Sequence, residues 1–183
     1  SGTPLSAGAG CLSEPLLASA GLSTKAVHAG ELRQKPEGAI AAPIFTASTY
    51  TFESTDALLR FVDGLEEREE YGRYGTPNER SVEAKLAALE GAEDAFATAS
   101  GMAAVNGALF AMLRAGDHVV SARALFGSCL YILETLLTRY GVEVTFVDGT
   151  DLDQWRAAVR PDTRAVFFES MSNPTLEVID IAA

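Results

Sequence analysis

Short apolar runs alternate with helical runs between residues 94 and 169, and this alternation constrains the fold more than any other feature. Because each predicted strand is nearly all apolar, the pattern predicts an α/β fold with a mostly parallel sheet and helices on both faces. Ligands bind such sheets at the carboxyl ends of the strands, so a site is expected at that edge. The predicted strands are Asp94–Ala99, His118–Ala122, Glu143–Val147 and Ala165–Glu169, and the helices are Met102–Leu113, Gly127–Tyr140 and Leu152–Val159.

A tight turn at Ser100-Gly101 joins the first predicted strand to the Ala-rich helix that starts at Met102. The first N–H groups of a helix lie at the positive end of its dipole, so such a turn can hold a phosphate. Gly101 has no Cβ, which lets a ligand approach its backbone closely. The turn alone is not specific, because a junction of small residues can also pack tightly and bind nothing.

The turn lacks the features of two common nucleotide sites. No Lys-Ser or Lys-Thr follows the glycine as in a Walker loop, and the spacing is not Gly-x-Gly-x-x-Gly. A nucleotide-binding α/β module is therefore the less favoured interpretation.

The first third of the chain has no sustained hydrophobic period. Residues 1–21 are small and polar, which predicts a flexible lead-in. Residues 22–65 are predicted to form an N-terminal arm that contacts a neighbouring subunit, because the apolar run Pro43–Phe52 has little to pair with locally. His28 is isolated in the sequence and indicates no metal or catalytic site.

Two helices are predicted after the arm's extended part. The polar residues 54–56 offer an N-cap to a helix over Ala57–Leu65. Asn78 is expected to cap a second helix, Glu79–Glu90, which Gly91 ends.

Charge and composition exclude several classes of function. The formal net charge is −11, with 14 Lys and Arg against 25 Asp and Glu, so a nucleic-acid partner is not expected. No apolar run reaches the length of a membrane helix and no signal peptide is recognised, which predicts a cytoplasmic protein without a membrane partner. Cys11 and Cys129 lie too far apart in sequence to indicate a disulfide framework or a metal site. His118 is expected to lie in a surface turn, so no metal is predicted.

Two motifs carry groups suited to a flat anionic ligand. Tyr71-Gly72-Arg73 combines a phenol with a guanidinium fork, which suits phosphate, although both are also ordinary surface residues. Phe126 precedes Gly127 just past a strand end, where its ring could lie on a flat cofactor or pack in the core.

A third motif runs from Glu169 to Thr175 at the end of the last strand. Asn173 can donate a hydrogen bond to a phenolate-type oxygen, and Pro174 stiffens the loop. The alternative is a turn in which the asparagine simply caps the backbone.

Together these motifs resemble the Cys/Met-metabolism family of pyridoxal-phosphate enzymes. The resemblance covers roughly Leu22 to the last residue, and the order and spacing of its motifs make chance agreement a poor explanation. The matching segments are Ser23–Gly30, Pro43–Tyr50, Tyr71–Arg73, Ser100–Met102, Phe126–Gly127 and Glu169–Thr175.

The resemblance implies a type I aminotransferase-like fold that binds pyridoxal 5'-phosphate and assembles as a homo-oligomer, a tetramer built from two dimers. It implies that Tyr71 and Arg73 reach the phosphate of the neighbouring subunit's cofactor, and Tyr71 is also the one candidate catalytic residue. Residues 66–183 would then be the first part of the cofactor-binding domain. The other implied cofactor-binding residues are Ser100, Gly101 and Met102 at the phosphate, Phe126 on the ring, Asn173 at the 3-oxygen, and Glu169.

The ring-stacking position distinguishes branches of the family. It is usually Tyr in the lyases and in cystathionine γ-synthase, whereas this chain has Phe126. The segment Phe126–Cys129 is most similar to O-succinylhomoserine sulfhydrylases. The implied activity is γ-replacement on an O-acyl-homoserine, with a sulfur donor, to make homocysteine for methionine and cysteine biosynthesis. Cystathionine γ-synthase and a γ- or β-lyase of the same family are the alternatives.

The family's Schiff-base lysine has no counterpart in this sequence. Lys25 and Lys35 lie in the arm, and Lys85 lies within a predicted helix. Because the sheet has only about four predicted strands and stops within an element, we expect this chain to be the front part of a longer protein, with a truncated fold. A non-catalytic fragment, or a subunit that needs a second chain carrying the lysine, is the hypothesis of a different class.

Overall fold

The computed structural model describes Leu17 and residues 19–183. Most of the predicted lead-in, residues 1–21, lies outside the described residues. Cys11 is among the residues that are not described. The chain divides into two compact units, one up to Ala97 and one from Thr98.

The first unit is helical. Ser54 begins the second helix as predicted, since its hydroxyl accepts a hydrogen bond from the amide of Ala57. That helix ends three residues earlier than expected, at Val62. The helices are α1 (Leu22–His28), α2 (Thr55–Val62) and α3 (Pro77–Glu90), with short 3₁₀ turns at Pro36–Gly38 and Gly72–Tyr74.

Helix α1 was not expected, because its segment was predicted as an extended arm. It packs against α3, and Ala29 at its end is buried. Gly30 makes this packing close: a Cβ placed on it would lie 2.1 Å from the carbonyl oxygen of Ser81. Lys85 of α3 donates to the carbonyl of Val27 at 3.2 Å. A helix as short as α1 is marginal by itself in water, so its packing against α3 is what stabilises it.

The apolar run Pro43–Phe52, which was predicted to have little to pair with locally, has a backbone partner elsewhere in the first unit. Its residues pair with the segment that carries the Tyr71 motif: the amide of Tyr50 donates to Glu70, and that of Gly72 donates to Ser48. Thr49 and Tyr71 form an isolated antiparallel bridge. The partner lies about 20 residues further on in sequence, beyond what local periodicity can reveal.

The cap of α3 is Thr76 rather than Asn78. The hydroxyl of Thr76 accepts from the amide of Glu79 at 3.3 Å, and Pro77 occupies the first helical position, which suits proline. Asn78 instead accepts from the amide of Phe45 at 2.9 Å, so its side chain holds the extended run. Gly91 ends the helix in the left-handed conformation, as predicted (φ 68°).

The second unit contains the sheet. It is parallel, with strand order β2-β1-β3, which confirms the predicted α/β class. Strands β1 and β2 have the predicted bounds, and β3 lies two residues earlier than predicted because its ladder begins with Thr163 opposite His118. The elements are α4 (Gly101–Met112), β1 (His118–Ala122), α5 (Gly127–Tyr131), β2 (Glu143–Val147), α6 (Leu152–Ala158) and β3 (Thr163–Phe167).

The predicted strand Asp94–Ala99 is not formed. A strand needs a neighbour to hydrogen-bond with, and no ladder forms over these residues in the described chain. Their amides find side chains instead, as when Ala97 donates to the carboxylate of Glu83 at 2.8 Å.

Helix α5 continues into a π-helical segment at Ile132–Leu137 that was predicted as ordinary α-helix. Ile132, Leu133 and Leu137 are buried there. The spacing of these apolar residues fits both helix types, which is why the sequence alone did not distinguish them.

The core of the second unit lies between the sheet and helices α4 and α5. Val119 on β1 and the residues opposite it, Val144 and Ala165, face this core. The buried cluster consists of Leu109, Leu113, Val119, Leu125, Cys129, Ile132, Leu133, Leu137 and Val142.

His118 does not lie in a surface turn, as had been expected, but is fully buried at the start of β1. Its two ring nitrogens lie 2.8 Å from the hydroxyls of Thr163 and Thr145. Burial lowers the pKa of His118 below its usual range, and the nearby charge of Arg160 adds to that effect. The imidazole is thus a neutral bridge between neighbouring strands.

Both outer strands of the described sheet, β2 and β3, have a neighbour on one side only. Val166 on β3 is half-exposed. No helix in the described part of the chain is both long and apolar enough to cross a membrane. Among the same residues, no group of three or more His, Cys, Asp or Glu side chains is placed to hold a metal ion.

Candidate functional site

The start of α4 presents free N–H groups. Ser100 caps the helix, because its hydroxyl accepts from the amide of Ala103 at 3.2 Å and its carbonyl from that of Ala104. In the described chain no acceptor takes the amides of Gly101 and Met102. A Cβ placed on Gly101 would meet nothing within 4 Å. The cradle is therefore open and suited to a phosphate group.

Phe126 is not a core residue. Its neighbour Leu125 is buried within the core cluster, whereas the Phe126 side chain is 42% exposed at the start of α5. The alternative that this ring serves core packing is therefore not supported. An exposed ring at a strand end is available to stack on a planar ligand.

Glu169 links two loops of the site. One carboxylate oxygen accepts from the amide of Phe126 at 2.9 Å, and the other accepts from the amide of Asn173 at 3.0 Å. These residues follow β1 and β3, which are adjacent strands. The structure thus brings together three of the residues that the sequence singled out.

The loop that carries Asn173 is organised by Ser172, which sequence reasoning missed. Ser172 is buried, and its hydroxyl lies 2.6 Å from that of Thr175 and accepts from the amide of Glu177. The Asn173–Pro174 peptide is cis. The side chain of Asn173 is exposed and makes no hydrogen bond within the described residues, so its amide is available to donate. The loop itself was predicted, but only the short spacing of two hydroxyl residues around Pro174 could have indicated the role of Ser172 in it.

A cavity of about 500 Å³ opens at the carboxyl edge of the sheet. Residues following each of the three strands line it, so the sheet edge is concave where parallel sheets bind ligands. The lining residues are Arg123, Ala124, Asp148, Gly149, Gln154, Thr175 and Glu177.

Glu169 also affects a buried thiol. Burial raises the pKa of Cys129, and the negative charge of Glu169 raises it further. This neutral thiol is part of the core and not a nucleophile.

Tyr71 and Arg73 lie in the first unit. The Arg73 guanidinium lies over the rings of Tyr71 and Tyr74, at 5.3 and 5.2 Å from their centroids, and donates to the Tyr74 hydroxyl at 3.2 Å. No carboxylate pairs with Arg73 among the described residues, so its charge remains available to an anion.

All three lysines lie in the first unit. Lys35 and Lys85 both pair with the carboxylate of Glu31, at 3.2 and 3.4 Å, and this lowers the pKa of Glu31. Lys25 lies in α1. The second unit, which holds the open turn at Gly101 and the exposed Phe126, contains no lysine.

Solved structures with this fold are pyridoxal-phosphate-dependent enzymes. An O-acetylhomoserine (thiol)-lyase candidate from Campylobacter jejuni, whose structure holds N'-pyridoxyl-lysine-5'-monophosphate, matches with a TM-score of 0.76 and 30% identity. The match covers 88% of this chain and 40% of that one. The chain therefore has part of a pyridoxal-phosphate enzyme fold.

The model of one family, the Cys/Met metabolism PLP-dependent enzymes, matches residues 23–183. This chain belongs to that family. It is 42% identical over 168 residues to O-succinylhomoserine sulfhydrylase of Pseudomonas aeruginosa, covering 91% of this chain and 41% of that protein. It is also 42% identical over 163 residues to L-methionine gamma-lyase of Fusobacterium nucleatum subsp. polymorphum. That match covers 89% of this chain and 41% of that protein. The chain thus spans about two fifths of the length of these relatives.

Proposed function

We propose that this chain is the front part of a longer protein, here called the parent protein, that carries out γ-replacement on O-succinylhomoserine. Sulfide would displace succinate from the γ-carbon: the Cγ–O bond breaks, a Cγ–S bond forms, and the products are homocysteine and succinate. The observation that carries this proposal is Phe126, an exposed ring without a hydroxyl at the position where the family's lyases usually have Tyr. The 42% identity to an O-succinylhomoserine sulfhydrylase supports it.

Pyridoxal phosphate, when bound, supplies the electron sink for carbanion chemistry on an amino acid. The residues of this chain would bind the cofactor and orient it. The amides of Gly101 and Met102 would bind the phosphate, and the Ser100 cap keeps them in place. The ring of Phe126 would cover one face, and the Asn173 amide would donate to the 3-oxygen.

We also propose that each site is shared between two subunits. Tyr71 and Arg73 would reach the phosphate in the neighbouring subunit, so that the smallest complete unit is a dimer and two dimers form a tetramer. The free charge of Arg73 supports this role. Residues 22–65 would contact the partner subunit, supported by the exposure of Ile40 and Ile44, which are 96% and 82% exposed. We place the parent protein in the cytoplasm.

A lyase is the second candidate function. The identity to an L-methionine gamma-lyase is as high as that to the sulfhydrylase, and it favours this alternative directly. Elimination would then take the place of addition on the same scaffold.

The test is to incubate the purified parent protein with O-succinylhomoserine, with and without sulfide, and separately with L-methionine, and to quantify homocysteine, ammonia and keto acid. Homocysteine that appears only with sulfide supports γ-replacement. Ammonia and keto acid with no homocysteine would identify a lyase, and neither product would overturn both candidates.

For the 183-residue chain by itself we propose no catalysis, because the second unit, which contains the strand ends, has no lysine. The check is borohydride reduction after addition of pyridoxal phosphate, followed by intact-mass analysis. No covalent adduct is expected. An adduct on Lys25, Lys35 or Lys85 that accompanies turnover would show that a lysine of this chain serves the reaction.

A further inference from the structure

The carboxylate of Glu169 is fully engaged within the chain. Both of its oxygens accept backbone N–H groups, one from Phe126 at 2.9 Å and one from Asn173 at 3.0 Å. Hydrogen bonds to an ionised carboxylate are stronger than those between neutral groups. Glu169 is also half-buried, so water competes for these oxygens less than at an exposed site.

The two amides belong to the very residues whose side chains face the proposed cofactor. Phe126 would cover the ring and Asn173 would bind its 3-oxygen, and the sequence separation between them is 47 residues, too long for local structure to fix their spacing. A bond at a residue's own amide fixes the backbone from which its side chain projects. Glu169 therefore couples the two loops through one rigid group.

We infer that Glu169 is a positioning residue that sets the distance between the Phe126 ring and the Asn173 amide, and that it does not itself contact the cofactor. This inference rests on the proposed function, because it assigns roles at the same site. It replaces the expectation, drawn from family resemblance, that Glu169 binds the cofactor directly.

The geometry predicts which substitutions of Glu169 would keep the two bonds. Aspartate is one methylene shorter and cannot keep both bonds without moving a loop. Glutamine has the same length, but its NH₂ group would face an N–H, so only one of the two bonds survives. Alanine removes both. These substitutions therefore form a graded series.

The first measurement is amide hydrogen exchange on the cofactor-free parent protein, which reads the two bonds without any ligand. In Glu169→Ala, exchange at both Phe126 and Asn173 should become roughly tenfold faster or more, and in Glu169→Gln at one of them. The amide of Ala103, held by Ser100, should be unchanged and serves as the internal reference.

The second measurement is visible circular dichroism of the bound cofactor, which reports the orientation of its ring. Glu169→Ala and Glu169→Gln should alter its magnitude while the thermal midpoint of the cofactor-free protein stays near that of the wild type. The matched control is Glu134→Gln, an exposed carboxylate of the π-helical segment in the same unit whose side chain makes no hydrogen bond in the described chain. It should match the wild type in both measurements.

Two results would overturn the inference. Unchanged amide exchange in Glu169→Ala, with an altered cofactor signal, would mean that Glu169 acts on the cofactor directly. Faster exchange with an unaltered signal would mean that the bonds are structural and do not position the ring. If the wild-type protein binds no pyridoxal phosphate, the proposed function fails, while the exchange measurement still decides whether Glu169 couples the loops.

Discussion

Among single residues, Arg73 carries the clearest electrostatic consequence. Two arginines of the first unit, Arg60 and Arg80, pair with carboxylates, Arg60 with Glu66 at 2.7 Å, whereas Arg73 touches only aromatic groups among the described residues. The guanidinium contacts both rings and is not neutralised by a carboxylate among the described residues. Such a group is prepared for a phosphate.

Arg73→Ala in the parent protein should weaken pyridoxal phosphate binding by about tenfold to a hundredfold, as expected for the loss of charge-assisted hydrogen bonds. The dissociation constant can be measured by fluorescence titration. Arg60→Ala removes the same charge at a paired position and should leave the affinity unchanged. Equal affinities for the wild type and Arg73→Ala would contradict the phosphate role.

His118 makes stability depend on pH. Its pKa is lowered in the folded protein from a usual value of 6.5, so the unfolded chain binds the proton more readily. The neutral imidazole thus contributes stability that is fully present above pH 6.5 and is lost as pH falls through the lower folded pKa.

We expect the thermal midpoint of the cofactor-free parent protein to fall as pH decreases below 6.5. His118→Gln should flatten this dependence, because glutamine does not titrate. His28→Gln leaves His118 in place and should keep the wild-type dependence. The same slope in His118→Gln and the wild type would show that other groups control the effect.

At the scale of elements, Gly30 determines whether α1 can lie on α3. It combines a left-handed backbone, φ 73°, with a backbone carbonyl at the position that a side chain would occupy. Gly38 has nearly the same φ, 71°, but open space around it. Comparing substitutions at these two glycines therefore separates the free-energy cost of backbone strain from that of steric overlap.

Gly38→Ala should cost about 1–2 kcal/mol, the ordinary cost of a left-handed alanine. Gly30→Ala should cost more, because its Cβ must displace the Ser81 carbonyl or lift α1 from α3. Denaturant unfolding gives the two free energies, and limited proteolysis within residues 22–31 reports the release of α1. Equal costs for the two variants would refute the close packing.

Local patterns were sufficient for β1 and β2, since each is a short apolar run bounded by turn residues. They failed wherever a distant partner decides the outcome. The burial of His118 depends on hydroxyls from two other strands, and the segment Asp94–Ala99 is not a strand because no neighbour pairs with it.

The same limit applies to the site. Phe126 and Asn173 could be chosen from the sequence because they follow strands, and strand ends carry ligands. The two hydrogen bonds of Glu169 could not be predicted from the sequence, because they depend on where two loops meet in space. Ser172 is similar: only its burial distinguishes it from neighbouring serines.

At the scale of the whole molecule, the proposed sharing of sites between subunits makes a quantitative prediction. Arg73→Ala and Asn173→Ala versions of the parent protein should each lose activity. When the two are mixed under conditions that exchange subunits, half of the dimers are mixed, and each has one intact site of two. Activity should therefore recover to about a quarter of the wild-type value.

The control mixes Phe126→Ala with Asn173→Ala, two changes on the same side of the proposed site, and no intact site can form. No recovery in the Arg73 and Asn173 mixture, despite proven subunit exchange by mass spectrometry, would mean that each subunit completes its own site.

The open edges of the sheet have a consequence for handling the chain. Strands β2 and β3 each present one unpaired row of backbone donors and acceptors in the described part, and Val166 adds exposed apolar surface on β3. Unpaired edges of this kind recruit strands from other molecules. The net charge of −11 opposes that encounter through mutual repulsion, which salt screens. The solubility of the isolated 183-residue chain should therefore decrease with rising ionic strength, and low-salt buffers should delay its aggregation.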